Sequence, residues 1–119
     1  MTILNDKTLK SREYIQGVQI FKSGDEATES YLLYSGQVRI YNLENGIKKE
    51  IAILKENDIF GEMALIKNKT HTYSAEAIEK SVVVVITKDI LQEKLINADP
   101  LLQSLIHIYI KRIYEANNN

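Results

Sequence analysis

The chain has 119 residues, 45% hydrophobic and 26% charged, with five Gly and one Pro, which suits one compact domain able to bury a core without metal or disulfide help. The absence of Cys excludes disulfides, a thiolate nucleophile and a Cys-ligated zinc site. Fifteen basic against sixteen acidic residues leave a formal net charge of -1, without the basic surplus typical of nucleic-acid binders.

The opening residues Met-Thr-Ile-Leu-Asn-Asp-Lys lack the basic-then-apolar profile of a signal peptide. The longest aliphatic run, Val82 to Ile86, is far too short to span a membrane. The expectation is a soluble, cytoplasmic protein with no membrane partner. Residues 1–17 have no firm period, although Leu4, Leu9 and Tyr14 can line one side of a short N-terminal helical segment. Residues 18–87 then change texture to short runs of Val, Ile and Tyr broken by Gly, Asn and Asp, the pattern of consecutive strands. Seven are predicted, at 18–22, 30–35, 37–42, 47–54, 57–60, 74–79 and 81–87. Asn45-Gly46 between two of these is the strongest hairpin signal, because both residues tolerate the positive φ of a type I′ turn. The run Val82–Val85 reads as a strand buried on both faces. A meander of this kind must close or sandwich itself to hide its edges.

From Gly61 to Ile66 the strand texture lapses into helix formers, enough for about one and a half turns. After Thr87 the pattern is helical, with Ile90, Leu91, Leu95 and Ile96 on one side of a first helix. Asp99-Pro100 restarts the chain as N-cap and first helical residue, and a second helix covers about 100–116 before a polar tail, 117–119. In that helix Leu102, Ile106, Tyr109, Ile113 and Ala116 are spaced four, three, four and three, and nine of the fourteen residues from Leu101 to Tyr114 are apolar or Tyr. Such a helix is apolar nearly all round. Either it sits deep against the strands, or it packs on the same helix of a second copy through Leu102, Ile106, Tyr109 and Ile113; the second reading is favoured.

Ile20-Phe21-Lys22-Ser23-Gly24-Asp25, Tyr31–Tyr41 and Asp58-Ile59-Phe60-Gly61-Glu62-Met63-Ala64-Leu65-Ile66 together resemble the cyclic nucleotide-binding domain family, which includes catabolite activator proteins and protein kinase A regulatory subunits. The resemblance runs from about Tyr14 to about Tyr114. It implies a mainly β fold: a jelly-roll-type β-roll of eight strands with a short phosphate-cassette helix inserted and two C-terminal helices as lid and dimer element. It also implies a cyclic nucleotide, cAMP or cGMP, as ligand.

The Phe-Gly-Glu box has its own physical logic. A short helix after Gly61 aims free amides, such as those of Met63 and Ala64, at an anion. Glycine lets the backbone approach closely, and the Glu62 carboxylate can accept a hydrogen bond from a ribose 2′-hydroxyl. Without a ligand, Gly61 and Glu62 would be a plain turn with an acidic residue favoured by the helix dipole.

In ligand-binding members a Pro-Arg pair closes the cassette, and by the resemblance these positions fall on Thr70 and His71. Arg is permanently charged and presents a planar fork to phosphate, whereas His of ordinary pKa near 6.5 is mostly neutral at pH 7. Loss of a charge-assisted bond worth roughly 1.5–3 kcal/mol corresponds to about tenfold to 160-fold weaker binding. Three readings of His71 stand open: a weaker phosphate contact assisted by Thr72, a pocket retuned to a less anionic ligand, or a surface residue beside a dead pocket. Lys67 and Lys69 in the same loop can lend positive charge or be solvated. Asn117 and Asn118 fall where bacterial members take base contacts, or belong to a frayed tail.

His107 lies opposite the apolar stripe of the last helix, and two His without Cys make no persuasive metal site. No nucleophile elbow, catalytic triad order or phosphate-loop motif occurs, so no enzyme activity and no cofactor are expected. The leading reading is a stand-alone regulatory module that senses a cyclic nucleotide with reduced affinity, forms a homodimer and signals to an unknown effector protein rather than to nucleic acid, since the sequence stops after the helix that leads to a DNA-binding motif in transcription factors. The alternative is a ligand-free interaction or dimerisation module of the same fold.

Overall fold

The computed structural model describes residues 3–66 and 69–117. Eight strands are present: β1 (Lys10–Tyr14), β2 (Gln19–Phe21), β3 (Ser30–Ser35), β4 (Val38–Glu44), β5 (Ile47–Leu54), β6 (Ile59–Phe60), β7 (Ser74–Ala77) and β8 (Ser81–Ile86), followed by helices α1 (Lys88–Ile96) and α2 (Pro100–Asn117). They form two four-stranded antiparallel sheets, β1-β8-β3-β6 and β2-β7-β4-β5. Phe21, Tyr31, Leu33, Val38, Phe60, Ala75, Val83 and Val85 make the core. Strand alternation supplies it directly, since Val83 and Val85 share one face of β8. Val84, on the other face, is also fully buried, so β8 is covered on both sides as its valine run implies. No helix among the described residues is long and apolar enough to cross a membrane.

The N-terminal segment is not the helical element expected over 1–17. A 3-10 turn at Ile3–Asn5 is followed by β1, which pairs along β8 from Lys10↔Val85 to Tyr14↔Ser81. The physical reason is the open edge of β8: without β1 its ladder groups would lack partners. The other predicted strands are present with ends shifted by up to two residues. The hairpin is a two-residue turn, with Glu44 opposite Ile47 and φ of 55° at Asn45 and 80° at Gly46, the positive values a type I′ turn needs.

Thr87 caps α1 by accepting the Ile90 amide at 3.1 Å. Ile90, Leu91 and Leu95 are half-buried, whereas Ile96, expected on the same side, is 76% exposed; one residue on from Leu95 it is rotated about 100° further round the helix, off the covered face. Asp99 Oδ1 accepts the Leu101 amide at 2.8 Å, so Asp99-Pro100 starts α2 as expected. Gln103 Nε2 donates to the carbonyls of Leu95 (2.7 Å) and Ala98 (3.1 Å), tying the end of α1 to α2.

α2 does not sit deep against the strands. Gln103, Ile106, Ile110 and Ile113 are half-buried on its inner face, while Leu101 (66% exposed), Leu102 (54%) and Tyr109 (54%) lie open with Leu105 and Ile108.

Candidate functional site

The site forms where β6 leaves its sheet. Gly61 takes φ 70°, ψ 25° and turns the chain into a 3-10 helix, Glu62–Leu65, where the sequence leads one to expect about one and a half helical turns. A side chain at Gly61 would crowd Phe21 and Tyr31 at 3.1 and 3.2 Å and the Glu29 carbonyl at 3.3 Å. Glycine is therefore required both for the left-handed backbone and for the close approach. Met63, Ala64, Leu65 and Ile66 are buried, which anchors the insert, and α2 packs against it.

Opposite the insert, residues 69–72 run antiparallel to residues 23–27. The Ala27 amide donates to Lys69 O (3.0 Å), the Gly24 amide to His71 O (2.8 Å) and the His71 amide to Asp25 O (2.9 Å), while Ser23 Oγ donates to Thr72 O at 3.0 Å. Backbone bonds on both sides of His71 thus fix where its side chain starts.

Between these walls lies a cavity of about 180 Å³. Gly61, Glu62 and Met63 line one side and His71 and Thr72 another; Phe21, Phe60 and Tyr73 add aromatic surface, and Ile40, Leu54 and Ile59 an aliphatic wall. No Lys or Arg lines it among the described residues. His71 is only 5% exposed, and its ring stacks on Phe21 with centroids 3.7 Å apart and planes 10° from parallel. Phe21 in turn meets Tyr31 and Phe60, each at 6.1 Å. Burial pushes the His71 imidazole below its ordinary 6.5, opposed in part by the Asp25 carboxylate.

Five of the six expected binding residues, Gly61, Glu62, Met63, His71 and Thr72, therefore line one cavity. Ala64 does not. Its amide, expected to be free, donates to Gly61 O at 3.1 Å, because a 3-10 turn engages the third residue's N–H within its first turn. His71 is not a surface residue, which removes that part of the third reading. Lys69 does not line the cavity, and its Nζ lies 4.9 Å from the Tyr114 ring centroid; Lys67 and Asn118 lie outside the described residues, and Asn117 ends α2. His107 is exposed, beside a shallow groove with Gln92, Leu95, Ile96 and Gln103. Among the described residues no cluster of three or more His, Asp or Glu could hold a metal ion. Sequence reasoning missed Phe21 and the aliphatic wall as cavity residues. The inward alternation of Val38 and Ile40 on β4 was the available signal for part of that wall.

The family described as "Cyclic nucleotide-binding domain" matches residues 11–97. Relatives include the CRP-like cAMP-activated global transcriptional regulator of Mycobacterium tuberculosis, 25% identical over 95% of this chain and 51% of its own length. The Cyclic AMP receptor protein of Thermus thermophilus is 33% identical over 89% of this chain and 50% of its own. The chain thus spans about half the length of these regulators. Among solved structures, the EAL enzyme Bd1971 in its half-site-occupied form superposes with a TM-score of 0.84 at 32% identity, covering 92% of this chain and 98% of that one. Its cAMP-bound form gives 0.69 over 92% and 30%, also at 32% identity. The catabolite activator protein of Thermus thermophilus gives 0.75 at 27% identity, over 92% and 52%. The two-sheet roll, the inserted Gly-Glu turn and the paired C-terminal helices agree with that match: the chain belongs to the cyclic nucleotide-binding domain family.

Proposed function

We propose that this domain is a regulatory module that binds a cyclic nucleotide in the cavity between Gly61-Glu62-Met63 and His71-Thr72. The observation that carries the reading is the cavity itself, in which a carboxylate, the Gly61–Met63 turn and a histidine face one another across an aromatic floor. The Met63 amide donates to no backbone carbonyl among the described residues and is available to a phosphate or ribose oxygen. Glu62 accepts from the ribose 2′-hydroxyl. His71 and Thr72 stand on the phosphate side, and the missing arginine makes binding weaker by the factor estimated from the sequence. Support for cAMP and cGMP as ligands comes from Bd1971, which is known in cAMP-bound and cGMP-bound forms.

The signal leaves through α2. That helix packs on the Glu62–Leu65 turn and is tied to the loop before His71 by the Lys69–Tyr114 contact. Movement of the turn towards a bound phosphate therefore shifts the seat of α2 and the apolar face it presents. That face joins two copies in a homodimer, with Leu102 and Tyr109 at its centre and the half-buried Ile106 and Ile113 at its margin. The effector is a further protein that reads the same helix. A ligand-free dimerisation module is the competing reading, favoured by the open face of α2 and by the absence, among the described residues, of a lysine or arginine on the cavity wall.

Thermal melting with millimolar cAMP or cGMP separates the two. A nucleotide-dependent rise in Tm supports the sensor through mass-action stabilisation of the folded state. No rise with either nucleotide leaves the interaction module.

A further inference from the structure

The cavity has a charge imbalance. A phosphodiester brings one negative charge into a site whose wall already holds the Glu62 carboxylate and, among the described residues, no lysine or arginine. An anion taken out of water without a compensating charge is costly. One lining side chain can become a cation near neutral pH, and that is His71.

The position of the imidazole suits the task. It is 5% exposed and pinned at its backbone by the bonds to Gly24 and Asp25. Among the described residues no side chain hydrogen-bonds to it, yet none of their fully buried side-chain nitrogens or oxygens lacks a partner. The ring nitrogens therefore keep some accessible surface, and His71 lines the cavity. One ring face is closed by Phe21, which disfavours charge in the empty site through desolvation. The surrounding charged groups are few. Asp25 lies across the backbone pair and Glu62 across the cavity; the Lys69 ammonium sits over the Tyr114 ring, Tyr31 stacks on Phe21 and donates to Glu29, and Glu29 is paired with Arg12.

We propose that His71 makes nucleotide binding proton-linked: the empty site holds a neutral imidazole, and the bound phosphodiester draws a proton onto it, so the domain responds jointly to nucleotide and to acidification. The inference rests on the function proposed above. Its sign follows from linkage. An anion that raises the affinity of His71 for a proton must itself bind more tightly when the proton is present. Affinity therefore rises as pH falls through the His71 pKa of the complex and levels off below that of the empty site. The phosphodiester stays ionised throughout this range, so the slope belongs to the protein.

The test is calorimetric titration of the protein with cAMP between pH 5.5 and 8, at neutral pH in buffers of different ionisation enthalpy. The proposal expects net proton uptake on binding and an affinity that gains up to about tenfold per pH unit lowered within the window. In His71→Gln the slope and the uptake vanish, and in His71→Arg binding is tighter and flat with pH. Binding without proton uptake in the unmodified protein, or the same slope in His71→Gln, overturns the proton linkage while leaving the nucleotide site standing. If neither the unmodified protein nor His71→Arg binds at any pH while both remain folded, the nucleotide reading itself is overturned, and the linkage with it.

Discussion

Replacing Gly61 with Ala tests whether the turn into the insert is both a strained backbone position and part of the ligand cradle. Gly46 provides the control, since it also has positive φ but nothing lies within 4 Å of an added Cβ. Gly46→Ala therefore reports backbone strain alone, about 1–2 kcal/mol for a left-handed L-residue. At Gly61 the same strain is joined by three contacts of 3.1–3.3 Å with Phe21, Tyr31 and the Glu29 carbonyl. Two of these are packed ring atoms and the third is backbone, so a further ~1–2 kcal/mol of overpacking is expected. With roughly 4 °C of Tm per kcal/mol for a domain of this size, Gly46→Ala should lose about 4–8 °C and Gly61→Ala about twice that. Displacement of Phe21 also disturbs the stacked His71, so Gly61→Ala should lose the cAMP-induced Tm rise while Gly46→Ala keeps it. Urea unfolding and thermal melts with and without cAMP measure both effects. If Gly61→Ala costs no more than Gly46→Ala and responds equally to nucleotide, the close approach at Gly61 has been misread.

Glu62→Ala should lower cAMP affinity roughly tenfold or more through loss of a charged acceptor and should erase discrimination against 2′-deoxy-cAMP, as competition binding will show; preserved discrimination assigns the ribose contact elsewhere. Without ligand, the burial of neutral His71 sets the sign of a stability change. The unfolded chain takes up a proton near pH 6.5 while the folded pKa lies lower, so stability present above 6.5 is lost as pH falls towards the folded value. Melting at pH 7.5 and 5.5 should show a smaller acid loss in His71→Gln than in the unmodified protein. Leu102→Glu and Tyr109→Lys, at side chains 54% exposed, should leave monomer stability within about 0.5 kcal/mol and split the homodimer in light scattering. A monomer for the unmodified chain at high concentration contradicts the dimer.

The central strands were legible because their Val and Ile runs are buried, and Asn45-Gly46 announced its own turn. β1 was not. Lys10, Ser11, Arg12 and Glu13 are exposed along an edge, where charge guards against further pairing, so the strand has no apolar alternation to read. Besides its ladder to β8 it is held by tertiary bonds, including the Arg12 guanidinium on Glu29 at 2.8 and 3.0 Å. On α2 the apolar spacing was visible, but which stripe faces inward was not: the inner face includes Gln103, placed there by its bonds to the end of α1, which rotates Leu102 and Tyr109 outward. In the site, Gly61, Glu62, Met63, His71 and Thr72, which the motif order singles out, line one cavity. The fate of the Ala64 amide and the stacking of His71 on Phe21 depend on 3-10 geometry and cross-strand packing that no local pattern encodes.

Amide chemical-shift mapping by NMR during a cAMP titration addresses the nucleotide site most directly. Saturable shifts centred on Gly61–Met63 and His71–Tyr73, with smaller ones along α2, are the predicted result. Titration to millimolar cAMP with those amides unmoved, or with shifts confined to other parts of the surface, contradicts it.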